Sequence, residues 1–215
     1  MHDLVIIGAG AFARELRHFL GSSFPVGAVR LKGFLSNNPH DLDEFEVPEP
    51  ILCDPEDYIP QQNDRFLLGI GQIEPRRRIV EKLKARGARF LTLIHPTAHV
   101  DSTAKLGEGC IVYPFATVMN DVSIGKFVML NLYSSAGHDT QIGDYCNLSP
   151  YATVNGFSIL EEDVFLGSHA SVLANHRVGK GSKVSANSVV TQDVRPDTLV
   201  FGVPGRHAPI LKQQE

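Results

Sequence analysis

Cut into sixes, residues 106–153 read LGEGCI VYPFAT VMNDVS IGKFVM LNLYSS AGHDTQ IGDYCN LSPYAT, and each block opens on an aliphatic residue or alanine. Extended both ways, the series runs Ile94, Val100, Leu106, Val112, Val118, Ile124, Leu130, Ala136, Ile142, Leu148, Val154, Leu160, Leu166, Val172, Val178, Val184, Val190. Sixteen of the seventeen markers are Ile, Leu or Val and the other is Ala, so a structural period is the economical explanation. The residue four places on is usually small or β-branched, as at Ala98, Ala104, Cys110, Ala116, Val122, Ser134, Thr140 and Cys146. Gly follows the marker at Gly107, Gly125, Gly143 and Gly179, adding a rhythm of three hexads, with Glu161 in the intermediate place. Short strands repeating in threes suit a solenoid of triangular section, with the marker inside, the small residue beside it and Gly relieving one corner per coil. Neither a helix nor a sandwich keeps a six-residue register this long. Coils stack at the strand spacing of about 4.8 Å, so Cys110 and Cys146, two coils apart, fill core and do not bridge.

Outward from the repeat, the chain has 215 residues, 43% hydrophobic and 20% charged, enough for one or two buried cores. The net charge of −4 argues against a nucleic-acid or anionic-membrane partner. Met1-His2-Asp3 runs straight into Leu4-Val5-Ile6-Ile7 without a basic region or a cleavage site, and nothing approaches an 18-residue apolar run. With three scattered cysteines, Cys53, Cys110 and Cys146, this reads as a reduced, cytoplasmic protein without a membrane span.

Residues 1–92 alternate strands and helices. Leu4–Ile7 is a strand ended by Gly8, and residues 11–20 form a helix with Phe12, Leu16, Phe19 and Leu20 on one face and Gly21 as its stop. Strands are expected at 26–35, 65–70 and 89–94, with a helix over 74–86 opened by Pro75 and capped by Gly87. Residues 37–62, rich in Pro, Asp and Glu, read mostly as loop. Such alternation implies an α/β domain with a parallel, Rossmann-like sheet, followed over 93–215 by the solenoid and a tail.

Motifs occurring in order along nearly the whole chain resemble one family. They are Ile6-Ile7-Gly8-Ala9-Gly10-Ala11-Phe12-Ala13-Arg14-Glu15; Gly69-Ile70-Gly71 leading to Arg76; Leu93-Ile94-His95-Pro96-Thr97-Ala98; Gly137-His138-Asp139 before Ile142-Gly143; and Val200-Phe201-Gly202-Val203-Pro204-Gly205. The chain thus resembles the left-handed β-helix sugar acyltransferases, which include sialic-acid O-acetyltransferases and the nucleotide-amino-sugar N-acetyltransferases of bacillosamine, viosamine and perosamine pathways. The resemblance implies a homotrimer with active sites between subunits, acetyl-CoA as acyl donor, and a nucleotide-sugar or sugar acceptor held partly by the amino-terminal domain.

Acyl transfer from a thioester needs a deprotonated nucleophile and two substrates within reach. His138 is the best base candidate, since imidazole titrates near working pH and this one lies two places past Ala136, outside the interior positions. Asp139 could orient the ring, as the acidic neighbour does in the resembled family, which often carries Glu here. Adjacent strand residues point oppositely, so the pair requires a corner between them. By spacing alone a solvated turn residue is the plainer reading of His138, and it is the surrounding family motif that turns the reading to a base. Gly8-x-Gly10-x-x-Ala13 between strand and helix is a setting in which backbone amides approach phosphate, or simply a tight turn. No acid closes the second strand to hold a ribose; Leu35-Ser36-Asn37-Asn38 stands there. The resembled family places acceptor contacts at Gly10, Ala11, Phe12, Ser36, Asn37, Gly71 and Arg76, commonly with an Asp pair where Ser36 and Asn37 lie and a His where Phe12 lies. Arg76, Arg77 and Arg78 at a helix start oppose the dipole by about 0.3–1 kcal/mol each, which invites a phosphate at Arg76 or reflects only an exposed, solubilising run. For coenzyme A the resemblance points to Asn147, Gly156, Ser168 and Ala186.

Two other classes fit a solenoid. A zinc-dependent carbonic anhydrase would need histidines 36 or 41 residues past His138, where Ala174 and Gly179 stand, and His169 and His176 lack suitable partners. A non-catalytic sugar-nucleotide-binding scaffold leaves His138-Asp139 without a task. Acetyl transfer to the amine of a nucleotide-linked sugar is the expectation, with O-acetylation of sialic acid or a related sugar as the alternative.

Overall fold

The computed structural model describes residues 1–210. The chain divides into two compact units, Met1–Leu93 and Ile94–Glu215.

The first unit is a four-stranded sheet in the order β3-β2-β1-β4, with β1 His2–Ile7, β2 Val29–Leu35, β3 Ile51–Cys53 and β4 Asp64–Leu68, all pairs parallel. Helix α1, Ala11–Ser23, follows β1, and α2, Ile73–Ala85, follows β4. Leu4, Val5, Ile6 and Ile7 are fully buried, as expected of a strand covered on both faces. Gly21 does not stop α1. The helix runs on to Phe24, whose N–H still reaches the Leu20 carbonyl and whose extended backbone is what the following Pro25 demands. Gly87, at φ +89, closes α2 as expected, its N–H on the Lys84 carbonyl. Strand β3 lies inside the stretch read as loop. Three residues between Pro50 and Asp54 are too few to show alternation, and β3 exists because Phe34 of β2 and Ser36 just beyond it donate to the Pro50 and Cys53 carbonyls. The strand expected at 89–94 shrinks to one bridge at Phe90 and the pair Leu93–Ile94.

The second unit is a parallel β-solenoid whose two-residue strands stack at register +18, for example Leu130 on Leu148 and Leu148 on Leu166. Three sheets of five, six and eight strands form its walls, the eighth-strand wall being closed by the antiparallel hairpin Thr198–Phe201 and Arg206–Pro209. From Val112 to Val190 every marker is buried and joins one continuous core with Cys110, Ala116, Cys146 and Ala152. Ile94 is 39% exposed because it caps the open end. Both core cysteines are buried, their thiols on the Gly125 and Glu161 carbonyls.

The corners are built differently from the expectation. The left-handed backbone falls on the third residue after the marker, and among the described residues twelve non-glycine residues take it there, among them Phe115, Tyr133, Asp139, Tyr151 and Phe157. A non-glycine residue there costs roughly 1–2 kcal/mol, offset by an N–H bond to the preceding coil and by stacking of Phe115, Tyr133, Tyr151 and His169 at 4.7–4.9 Å. Gly107, Gly125, Gly143 and Gly179 are needed instead for closeness: a Cβ there would lie 2.3–2.7 Å from atoms of the next coil.

Candidate active site

His138 and Asp139 sit in the turn between strands Ser135–Ala136 and Gln141–Ile142. Ala136 and Thr140 point inward and are fully buried, which forces the residues between them outward. The turn is tied to both neighbouring coils: Gly137 N–H donates to Val154 at 2.7 Å, Asp139 N–H to Asn120 at 3.1 Å, and Phe157 N–H to the His138 carbonyl at 3.1 Å. Asp139 takes φ +58 and is therefore the corner the pair requires. It swings the carboxylate to the imidazole's side, with Asp139 Oδ2 2.9 Å from His138 Nδ1. With a proton on Nδ1 held by that carboxylate, the ring offers Nε2 as its acceptor. The side chains are 53% and 39% exposed, so both are open to substrate.

Two residues complete this corner. Phe157 meets the imidazole edge-on, ring centroids 5.1 Å apart at 84°. Gly156 stands one coil beyond His138, and a Cβ on it would lie 2.5 Å from His138 Cε1 and 2.6 Å from Nε2. The imidazole occupies space that any other residue at 156 would fill. Sequence reading marks Gly156 as a coenzyme A position and passes over Phe157; the 18-residue coil offset, from His138 to Gly156 and from Asp139 to Phe157, is the signal that identifies both.

The other coenzyme A candidates lie elsewhere on the chain. Asn147 is on the strand Asn147–Leu148 and is buried; Ser168 and Ala186 follow the strands Phe165–Leu166 and Lys183–Val184 on the edge that carries the aromatic stack. His138 and Gly156 share a different edge of the prism. Within one chain the structure joins Gly156 to His138 and keeps Ser168 and Ala186 apart from it.

In the first unit a cavity of about 440 Å³ is lined by Gly8, Gly10, Ser36, Asn37 and Asp41 among others. Gly8, at φ +99, could carry no side chain, since its Cβ would meet the Gly69 carbonyl oxygen at 2.8 Å. Ala13, the third position of the glycine pattern, is matched to Gly69, whose own Cβ would come within 2.8 Å of it. Gly10, on the cavity wall, caps α1 with no side-chain bond and no acid in the first turn. Ala11 and Phe12 begin that helix, and Gly71 is exposed beyond β4; none of the three lines the cavity. Arg76 departs from both readings made of it. It is 1% exposed, neither a solubilising charge nor a cavity-lining group, and Arg78 stands at the wall instead, 3.5 Å from Glu56. The helical turn decides this: Arg76, Ile79, Val80 and Leu83 share the face of α2 that packs inward.

The histidines of the zinc alternative are used otherwise. His169 stacks on Tyr151 at 4.7 Å, and His176 Nδ1 lies 3.4 Å from Asp193. Among the described residues no group of three or more His, Cys, Asp or Glu is arranged to hold a metal ion, and no helix is long and apolar enough to cross a membrane.

Comparison with known proteins bears on this geometry. No family model matches the chain. GDP-perosamine N-acetyltransferase of Escherichia coli O157:H7 is 32% identical over 113 residues, 53% of this chain and 51% of that protein. Serine acetyltransferase of Escherichia coli K12 is 34% identical over 119 residues, 54% of this chain and 38% of that one. The chain therefore spans about half or less of the length of these curated relatives. Over almost its whole length it superposes on PerB of Caulobacter crescentus, solved with CoA and GDP-perosamine, with TM-score 0.85, 27% identity and coverage of 97% and 98%. The acetyltransferase domain of PglB from Neisseria gonorrhoeae, solved with acetyl coenzyme A, matches with TM-score 0.84, 25% identity and coverage of 95% and 98%.

Proposed function

We propose that this chain, whose homologues are left-handed β-helix acetyltransferases of the hexapeptide-repeat sugar family, moves an acetyl group from acetyl-CoA to the amine of a nucleotide-linked sugar. The observation that carries this is the His138–Asp139 pair on a solenoid corner, with Nε2 kept clear by Gly156.

Acetyl-CoA would supply an activated thioester, and the protein's task is to position and deprotonate the amine. At neutral pH a sugar amine is largely ammonium and cannot attack until it loses a proton. His138 Nε2 takes that proton, Asp139 holds the ring in the required tautomer and stabilises the imidazolium, and Phe157 limits its tilt. A positioned base of this kind contributes roughly 10²–10⁴ in rate.

Gly156, Asn147, Ser168 and Ala186 are the proposed coenzyme A contacts. Since Ser168 and Ala186 occupy another edge of the prism than His138, a homotrimer, in which an edge of one subunit faces an edge of the next, is the assembly that would use all of them together. The first unit is the proposed holder of the acceptor's nucleotide. Its parallel sheet, the Gly8–Gly10 turn and the uncapped start of α1 favour a diphosphate at the mouth of the cavity. Gly10, Ala11, Phe12, Ser36, Asn37 and Gly71 surround or flank that turn; Arg76, being buried, supports the site only by holding α2. The cytoplasm, which supplies acetyl-CoA, is the proposed compartment.

The test is thiol release from acetyl-CoA with GDP-, UDP-, dTDP- and CMP-linked sugars. Release that depends on an amino sugar and falls by roughly 10²–10⁴-fold in His138→Ala supports the proposal. Release with a hydroxyl acceptor only would turn the reading to O-acetylation, and no release with any acceptor from a folded protein would leave a binding scaffold.

A further inference from the structure

The second strand ends without an acid, but the structure returns one to the same place. Asp41 lies five residues beyond Ser36 in the stretch that reads as loop, and it lines the cavity together with Gly8, Gly10 and Ser36. Its Oδ2 accepts the Ser36 hydroxyl at 2.5 Å and its Oδ1 accepts Asn38 Nδ2 at 2.6 Å, while Asn38 N–H returns to Ser36 Oγ at 3.3 Å. Ser36 is itself buried, 9% exposed, so the carboxylate is braced from the protein side. Both partners are neutral, so the negative charge is not cancelled, and each carboxylate oxygen keeps a further lone pair for a donor. The other acids of the wall are committed elsewhere. Glu56 is paired with Lys82 at 2.8 Å, and Asp54 Oδ1 accepts the Glu56 N–H at 2.7 Å within its own turn.

The lining thus holds two unlike groups: Gly10 at the start of α1, where backbone N–H groups favour a phosphate, and Asp41, an acceptor-only anion that repels one. A nucleotide is matched to this lining with its hydroxyls, not its phosphates, at Asp41. In parallel α/β domains the group beyond the end of the second strand faces the ribose when the diphosphate sits at the first strand–helix turn. We propose that Asp41, oriented by Ser36 and Asn38, accepts the 2′- and 3′-hydroxyls of the acceptor's ribose, making the site selective for ribonucleotide-linked over 2′-deoxyribonucleotide-linked sugars. The inference rests on the nucleotide reading of this cavity and adds to it a residue and a substrate class.

The experiment is calorimetric binding of four probes, GDP, UDP and their 2′-deoxy counterparts, to the full chain and to Asp41→Ala, Asp41→Asn and Ser36→Ala. The natural protein is expected to hold each ribonucleotide on the order of tenfold tighter than its deoxy partner, the worth of one hydrogen bond to a charged acceptor. Asp41→Ala and Asp41→Asn should bring that ratio to within about twofold, and Ser36→Ala to a value between, while coenzyme A binding stays unchanged as the check on folding. A natural protein that does not discriminate, or variants that keep the full ratio, would overturn the role of Asp41 and leave the nucleotide site standing. Failure of all four probes to bind would overturn the nucleotide reading itself, and this inference with it.

Discussion

Gly156→Ala isolates the geometry of the proposed base from the rest of the enzyme. The backbone at 156 is outside the left-handed region, so alanine is conformationally allowed there. Its Cβ, however, would lie 2.5 Å from His138 Cε1, 2.6 Å from Nε2 and 3.0 Å from Nδ1. Ordinary contact begins near 3.5 Å, so the imidazole must retreat by roughly 1 Å. The ring is the mobile end of a half-exposed side chain, and folding should lose little, with a melting temperature within about 4 °C of the parent. Catalysis should lose much, because a 1 Å misplacement of a reacting group can cost on the order of 10²-fold. The assay is kcat for thiol release at saturating acetyl-CoA and acceptor, read in a double-mutant cycle with His138→Ala. If the methyl acts only by displacing the imidazole, Gly156→Ala should cost almost nothing once that imidazole is gone. An equal loss in both backgrounds would refute the steric argument and assign Gly156 to coenzyme A contact alone, as would a kcat within threefold of the parent.

Asp139→Asn tests the ring's partner without disturbing the corner, since Asn tolerates φ +58; kcat should fall by roughly 10²-fold with little change in melting temperature if the carboxylate stabilises the imidazolium. Phe157→Ala removes an edge contact worth about 0.5–1.5 kcal/mol, and a fall of roughly threefold to tenfold in kcat, with KM for acetyl-CoA unmoved, is expected from steady-state kinetics. Gly143→Ala places a Cβ 2.7 Å from the Glu161 backbone carbon, so chemical denaturation should show a loss of about 1–3 kcal/mol. Acid stability follows from Asp3, Glu56, Asp101 and Asp193, whose carboxyls are held below their ordinary values by hydrogen bonds, chiefly from Arg30, Lys82, Thr103 and Arg177 respectively. Lowered values mean that this stability is present above the unfolded carboxyl range near pH 4 and is lost as pH falls through the folded values. His95, whose imidazole burial holds below its ordinary value, adds a smaller loss as pH falls through the unfolded histidine range near 6.5. Scanning calorimetry should therefore find a shallow decline in melting temperature below about pH 6.5 and a steeper one below about 4; a fall already complete by pH 6 would contradict it.

What the sequence determined by itself is whatever repeats. A marker every sixth residue is enough to specify the solenoid, its core and the outward position of His138, because each hexad must bury the same face against the same neighbours 18 residues away. Gly8, Gly10 and Ala13 were likewise legible, since a tight turn before a helix leaves few residue choices. The tertiary structure decided what depends on neighbours distant in sequence. The coil glycines serve close approach between coils and not the corner torsion, which Asp139 and its equivalents carry. Arg76, one of three consecutive arginines, is buried because it stands three and seven residues before Ile79 and Leu83 on the inward face of α2, where its charge must be accommodated by the packing around it. Asp41 comes to the wall of the Gly8–Gly10 cavity through a loop without periodicity, although its bonds to Ser36 and Asn38 are local. Gly156 and Phe157 meet His138 across one coil, a contact that stacking creates and chain order conceals.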